Sequence, residues 1–149
     1  MKKILSFIIL AVLLVVPSTM LIGCSKTSDN ASNVVNNVYY LESYYEDRVN
    51  LTETKFNERP LKIIFADKNV KVEIGNESEE GHGSFLGSFT TEGSTVKITV
   101  DQTSLTGYFA EGNVFQYFNF TNLTYKSGKL TTSFISNSKI LQYTFAKAK

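Results

Sequence analysis

The chain predicts an all-β domain of about eight antiparallel strands, an up-and-down meander closed as a barrel. Three observations carry that prediction. The sequence holds 11 Phe and 8 Tyr in 149 residues, with no Trp, and aromatic and β-branched side chains favour strands. Apolar and polar residues alternate with period two in segment after segment, which is the signature of a half-buried strand. Asn, Ser, Gly and Asp break the chain about every ten residues, the spacing of short strands joined by turns. A meander left open would expose two pairing edges, and joining its first strand to its last removes them. Eight strands enclose an interior just wide enough for side chains or one small ligand. A flattened sandwich is the other arrangement these strands allow.

Ahead of this domain, the first residues have the three-part form of a secretory signal. Met1-Lys2-Lys3 is basic, Ile4 to Val16 is apolar apart from Ser6, and Pro17-Ser18-Thr19 follows. The apolar run has the length of a signal core and is short of the roughly 20 residues that span a bilayer. Leu21-Ile22-Gly23-Cys24 then resembles the bacterial lipobox. The resemblance implies cleavage before Cys24 and a diacylglyceryl group on its sulfur, with palmitate-type acyl chains anchoring the protein to a membrane of the cell envelope. A small Gly23 admits a peptidase, and a thiol is a strong nucleophile for alkylation. Each buried CH₂ contributes about 0.8 kcal/mol, so two or three chains give stable anchoring. Ser25 is not an Asp-type inner-membrane retention signal, which favours the outer membrane where the organism has one.

The expected organisation is therefore a signal peptide over 1–23, a lipidated cysteine and flexible tether over 24–37, and a barrel over 38–149. Ser25 to Asn37 is polar apart from Val34 and Val35 and reads as the tether, with a first strand or short helix as the alternative. Val38 to Tyr45 (VYYLESYY) opens the domain with imperfect alternation. Asn50 to Pro60 reads as a loop or short edge strand. Leu61 to Phe65 and Val70 to Ile74 flank a turn at Asp67-Lys68-Asn69, with Val70, Val72 and Ile74 on the inner face. Gly75 to Gly83 (GNESEEGHG) is an exposed acidic loop. Gly83 to Thr90 places Phe85, Gly87 and Phe89 together, and Thr95 to Val100 places Val96, Ile98 and Val100 inside. Asp101 to Asn113 is a long connection carrying Tyr108-Phe109. Val114 to Tyr125 is a long strand, bent near Asn122, with Phe118 and Phe120 on one face. Gly128 sits where the next hairpin needs positive φ. Leu130 to Ile135 and Ile140 to Ala146 complete the set, with Leu141, Tyr143 and Phe145 inside.

Tyr39-Tyr40-Leu41-Glu42-Ser43, Leu61-Lys62-Ile63-Ile64-Phe65, Gly87-Ser88-Phe89 and the closing Tyr143-Thr144-Phe145-Ala146-Lys147 together resemble a group of small bacterial lipoproteins with a lipocalin-like domain. The resemblance covers about residues 38–149 and implies a lipocalin-like barrel. Lipocalins often close the barrel floor with a Trp near the start of the first strand. Here Tyr39 or Tyr40 must serve.

Composition narrows the chemistry. Removing Lys2 and Lys3 with the signal lowers the basic count of 15 by two, against 14 acids, so no basic excess favours nucleic acid. Cys24 is the single cysteine and leaves no disulfide partner. His82 is the single histidine, and no Gly-x-Ser-x-Gly elbow appears. Glu77, Glu79, Glu80 and His82 are metal-ligand residue types, but their spacing matches no known loop and reads as a solvated acidic turn. Glu42, Glu73, Asp101 and Glu111 are acids without a pairing signal. The expectation is a non-enzyme with no cofactor beyond the lipid. Phe85, Phe89, Phe118, Phe120, Tyr143 and Phe145 would line the barrel, either around a small apolar ligand or as a filled core. A third class is an envelope interaction module, contacting a protein or glycan through the loop-side pairs Tyr44-Tyr45 and Tyr108-Phe109.

Overall fold

A computed structural model describes residues 29–110 and 122–149. Their strands are β1 (Val38–Glu46), β2 (Val49–Asn50), β3 (Leu61–Ala66), β4 (Asn69–Ile74), β5 (Gly83–Glu92), β6 (Thr95–Val100), β7 (Thr106–Gly107), β8 (Asn122–Lys126), β9 (Lys129–Ser136) and β10 (Lys139–Lys147). The eight longer ones pair antiparallel in the order β1-β3-β4-β5-β6-β8-β9-β10. Pairing of β10 with β1, from Tyr39↔Lys147 to Glu46↔Leu141, closes the barrel. That seam excludes the sandwich. The two-residue strands β2 and β7 attach outside the cycle, to β1 and β5.

Period-two alternation sets the inner face. Leu61, Ile63 and Phe65 of β3, Val70, Val72 and Ile74 of β4, Phe85 and Phe89 of β5, Val96 and Ile98 of β6, and Leu141, Tyr143 and Phe145 of β10 are all buried. The irregular alternation of β1 has a local cause. Leu41 opposes Phe145 while Ser43 opposes Thr144, so Glu42 is an extra residue in a bulge. Before the bulge Tyr39 points inward; after it Tyr44 and Glu46 do. Tyr39 is fully buried, edge-on to Phe65 with ring centroids 5.9 Å apart, whereas Tyr40 is 46% exposed. Of the two rings, Tyr39 is therefore the one inside the barrel.

The two ends of the barrel differ. At one, tight turns join β3 to β4, β5 to β6 and β8 to β9, and positive φ falls at Asp67 (54°), Gly93 (56°), Ser127 (51°) and Gly128 (80°). Such turns match the right-handed twist of the flanking strands. This end is also strapped. The reading of 24–37 as a tether fails from Asp29 onward: residues 31–34 form a 3₁₀ turn capped by Asn30, whose side-chain oxygen accepts from the Ser32 N–H at 2.9 Å. Ala31 and Val34, three residues apart on one face, are fully buried. Ala31 N–H donates to Gly93 O (2.9 Å), Phe65 N–H to Asn37 O (3.0 Å), and Ser127 N–H to the Asp29 carboxylate (2.7 Å). We call this the closed end.

At the other end the cycle splays. β1 pairs with β3 only over Val38–Tyr40. The gap between β1 and β3 holds β2 and a one-turn helix, α1 (Thr52–Phe56), in a stretch expected to be a loop or edge strand. Five residues are too few to show a helical period, so the pattern could not reveal α1. The long connections 75–82 and 101–110 also lie at this open end. The first part of the long strand expected over 114–125, with Phe118 and Phe120, lies outside the described residues, as does Cys24. Among the described residues no helix is long and apolar enough to cross a membrane.

Candidate functional site

The open end carries a pocket of about 240 Å³ lined by Tyr44, Lys55, Phe56, Arg59, Ile74, Tyr108 and Tyr143. Each wall has a local cause. The α1 wall begins at Asn50, whose side-chain oxygen accepts from the Thr52 N–H (3.0 Å) and hydroxyl (2.7 Å) and so turns the chain into the helix. The Thr52 hydroxyl oxygen in turn accepts from the Tyr44 N–H at 2.7 Å, which fixes α1 against β1. Phe56 then meets Tyr44 edge-on, with centroids 5.2 Å apart.

Tyr108 arrives from a connection seated on β5. Asp101 caps a 3₁₀ turn at 102–104, and its carboxylate accepts from the Thr103 N–H (2.9 Å) and hydroxyl (2.7 Å), which lowers its pKa. The Leu86 N–H donates to the Ser104 hydroxyl at 2.8 Å. Gly107 then lies opposite Gly83. Gly107 has φ +51°, and a Cβ there would meet His82 O at 2.0 Å, so only glycine lets the two backbones come this close.

Beneath the pocket the rings are in contact. Tyr44 and Tyr143 lie 4.7 Å apart, and Tyr143 stacks between Phe134 (6.0 Å) and Phe145 (6.4 Å). Burial is the main reason the Tyr143 hydroxyl is pushed far above its ordinary pKa, with Tyr44 adding to it. Of the side chains expected to line the barrel, Phe85, Phe145 and Tyr143 are at most 1% exposed and Phe89 is 8% exposed. Phe85 packs on Phe109 at 5.1 Å, and Phe89 on Phe65 at 4.9 Å. These residues face the interior as expected, but they meet one another there. Only Tyr143 reaches the pocket.

One carboxylate organises the rim. Glu46, 8% exposed, accepts from the Tyr44 hydroxyl (2.6 Å), Lys55 Nζ and Lys139 Nζ (2.9 Å). Lys55, then Tyr44 and Lys139, hold its pKa down from 4.5 to about 2. The Lys55 ammonium also sits 5.4 Å from the Tyr44 ring centre. Arg59 has no carboxylate partner among the described residues. Its guanidinium packs on Gly81, where a Cβ would lie 2.6 Å from Cζ.

Of the other candidate acids, Glu73 and Glu42 lie against lysines, and Glu111 lies outside the described residues. Glu73 is buried on the outer face between Lys62 (2.6 Å) and Lys71, whose bonds keep its pKa low against the opposing effect of burial. Glu42 pairs with Lys129 at 2.5 Å. Among the described residues no three His, Cys, Asp or Glu side chains gather to hold a metal ion, and Glu77, Glu79, Glu80 and His82 form no such group. Of the aromatic pairs expected at loop contacts, Tyr44 and Phe109 are buried. They are core, not contact surface. Lys55, Phe56, Arg59 and Tyr108 come from two connections about fifty residues apart in which no period reads, so the sequence pattern does not join them.

Compared with protein-family models, curated proteins and solved structures, the chain matches none.

Proposed function

We propose that the chain is an envelope lipoprotein, anchored through Cys24, that works by binding at the open end of its barrel and not by catalysis. The observation that supports this most is the division of the molecule. Among the described residues buried rings meet one another in the interior, the N-terminal segment straps one end, and an aromatic pocket opens at the other. A ligand carried deep inside would have to displace Phe85, Phe145 or Tyr143, whereas the pocket is already open. The lipobox at 21–24 supplies the anchor, and the ordered strap gives it a geometry. Residues 25–28 are all that separate Cys24 from Asp29, which fixes the reach at roughly 15–18 Å fully extended. The closed end then lies near the bilayer and the pocket points away from it.

A second reading, a protein partner, draws on a pair of exposed side chains. Ile135 and Ile140 are cross-strand neighbours on the outer face of β9 and β10, 76% and 48% exposed.

Native mass spectrometry of the full chain, extracted from a bacterial envelope in mild detergent, tests the proposal. The expected result is a chain beginning at a diacylglyceryl-modified Cys24, with a small-molecule adduct that Tyr108→Ala removes. An unmodified chain would refute the anchor. A modified chain that never carries an adduct and copurifies with one protein, released by Ile135→Asp, would favour the second reading.

A further inference from the structure

The open-end pocket combines three features that together specify a ligand class. Its walls are rings: Tyr44, Phe56, Tyr108 and Tyr143. Flat aromatic walls favour a flat or aromatic body, which can stack offset or edge-on. Its volume, about 240 Å³, lies below the roughly 300–1,000 Å³ of pockets for drug-sized ligands. The third feature is charge. Two cations, Lys55 and Arg59, line the pocket, but they are not equivalent. Lys55 is bonded to Glu46, and Lys139 shares the same carboxylate. Arg59 has no such partner among the described residues and lines the same pocket.

We propose that this pocket takes a small monocarboxylate with an aromatic or planar apolar body, its carboxylate on the Arg59 guanidinium and its body among Phe56, Tyr108 and Tyr143. This rests on the open-end binding reading above and names its ligand class. Arg59 is the pocket-lining cation with no bonded carboxylate among the described residues, and a ligand carboxylate would supply one. A guanidinium presents two parallel N–H groups in the plane of a carboxylate, a match that an ammonium lacks. The absence of a side chain at Gly81 leaves room for the Arg59 guanidinium beside the pocket. Glu46 contributes indirectly: it fixes α1 through Lys55 and holds that ammonium on its own carboxylate, which leaves Arg59 to take the ligand's.

The test uses the full lipid-modified chain in nonionic micelles, with empty micelles as blank, and two probes of nearly equal shape. Phenylacetate carries the charge and phenylacetamide does not. Binding is read by ligand-observed NMR, and folding by thermal melting of each variant. Phenylacetate is expected to bind about tenfold or more tightly than phenylacetamide, the effect of losing a charge-assisted hydrogen-bond pair. Arg59→Gln should bring phenylacetate down to the level of the amide with the melting temperature unchanged, and Arg59→Lys should restore only part of the difference. Equal binding of the two probes, or phenylacetate binding that survives Arg59→Gln, overturns the carboxylate proposal and leaves an apolar open-end site standing. Failure of both probes to bind, with the wild-type melt intact, overturns this proposal together with the open-end reading on which it rests.

Discussion

The two ends of this barrel are built from the same strands and differ in how they are finished. At the closed end the strands stay paired to their tips. Three turns tolerate positive φ, and a 3₁₀ strap adds Ala31 and Val34 to the core. At the open end β1 separates from β3, and β2, α1 and the Glu46 network fill the space. The closed end is held by backbone pairing and apolar burial, which need no particular partner beyond shape. The open end keeps the β10–β1, β9–β10, β3–β4 and β4–β5 pairings but seats α1 by directed polar bonds and ring contacts, and it is there that a ring-lined pocket and a cation remain accessible. Stability is expected to concentrate at one end and recognition at the other, as in proteins whose binding segments come from their least stable parts.

The largest expected effect breaks the closed end. Phe65 is 1% exposed and lies edge-on to both Tyr39 and Phe89. Phe65→Ala should cost about 3–5 kcal/mol in denaturant unfolding. The fraction that remains folded should bind as the wild type does, because the substituted ring lies outside the pocket.

Glu46→Gln addresses the open end. Its two lysines reach water, so the loss should be smaller, about 1–3 kcal/mol, and α1 should loosen with it. The pH profile carries the sharper signature. The folded-state pKa is lowered from 4.5 to about 2, so the stabilisation is fully present above 4.5 and is lost as the pH falls through about 2. Wild-type melting temperatures should drop across that window, and Glu46→Gln should flatten the drop. The remaining slope would belong to Glu73 and Asp101, whose pKa values are also lowered.

How much of this division the sequence makes legible differs between the ends. Alternation places Phe65, Val72, Val96 and Phe145 inside, because period two is local and each strand carries its own copy. The bulge at Glu42 hides the phase of β1, since one extra residue inverts every side chain after it. The strap is hidden for another reason: its burial depends on two small apolar residues in an otherwise polar segment. The pocket is least legible of all. Tyr143 reads as an inward residue, but Lys55, Arg59 and Tyr108 meet it only through loop geometry, which glycines at 81, 83 and 107 permit and no period announces.

Gly107→Ala sharpens the comparison further. Forcing a side chain into left-handed backbone costs about 1–2 kcal/mol, and here the new Cβ also collides with His82 O. The loop should lift from β5 and take Tyr108 with it. Probe binding should fall more than the thermal melt does, in contrast to Phe65→Ala. Asp29→Ala should have the smallest effect, about 0.5–1.5 kcal/mol for the Ser127 hydrogen bond, seen as a small decrease in melting temperature with no change in binding.

Amide hydrogen exchange under native conditions tests the central claim most directly, because it reads the two ends of one molecule in one experiment. The closed-end reporters are the amides of Ala31, Phe65 and Tyr125, which donate to Gly93 O, Asn37 O and Ser94 O; the open-end reporters are Leu51, Lys55 and Tyr108, which donate to Tyr44 O, Leu51 O and His82 O. The account predicts that the first three exchange only through global unfolding and lose protection together in Phe65→Ala. The second three should exchange faster, through local opening, and slow when a pocket ligand is added. Equal protection at the two ends, or slower exchange at the open end without ligand, would contradict the division of labour proposed for this barrel.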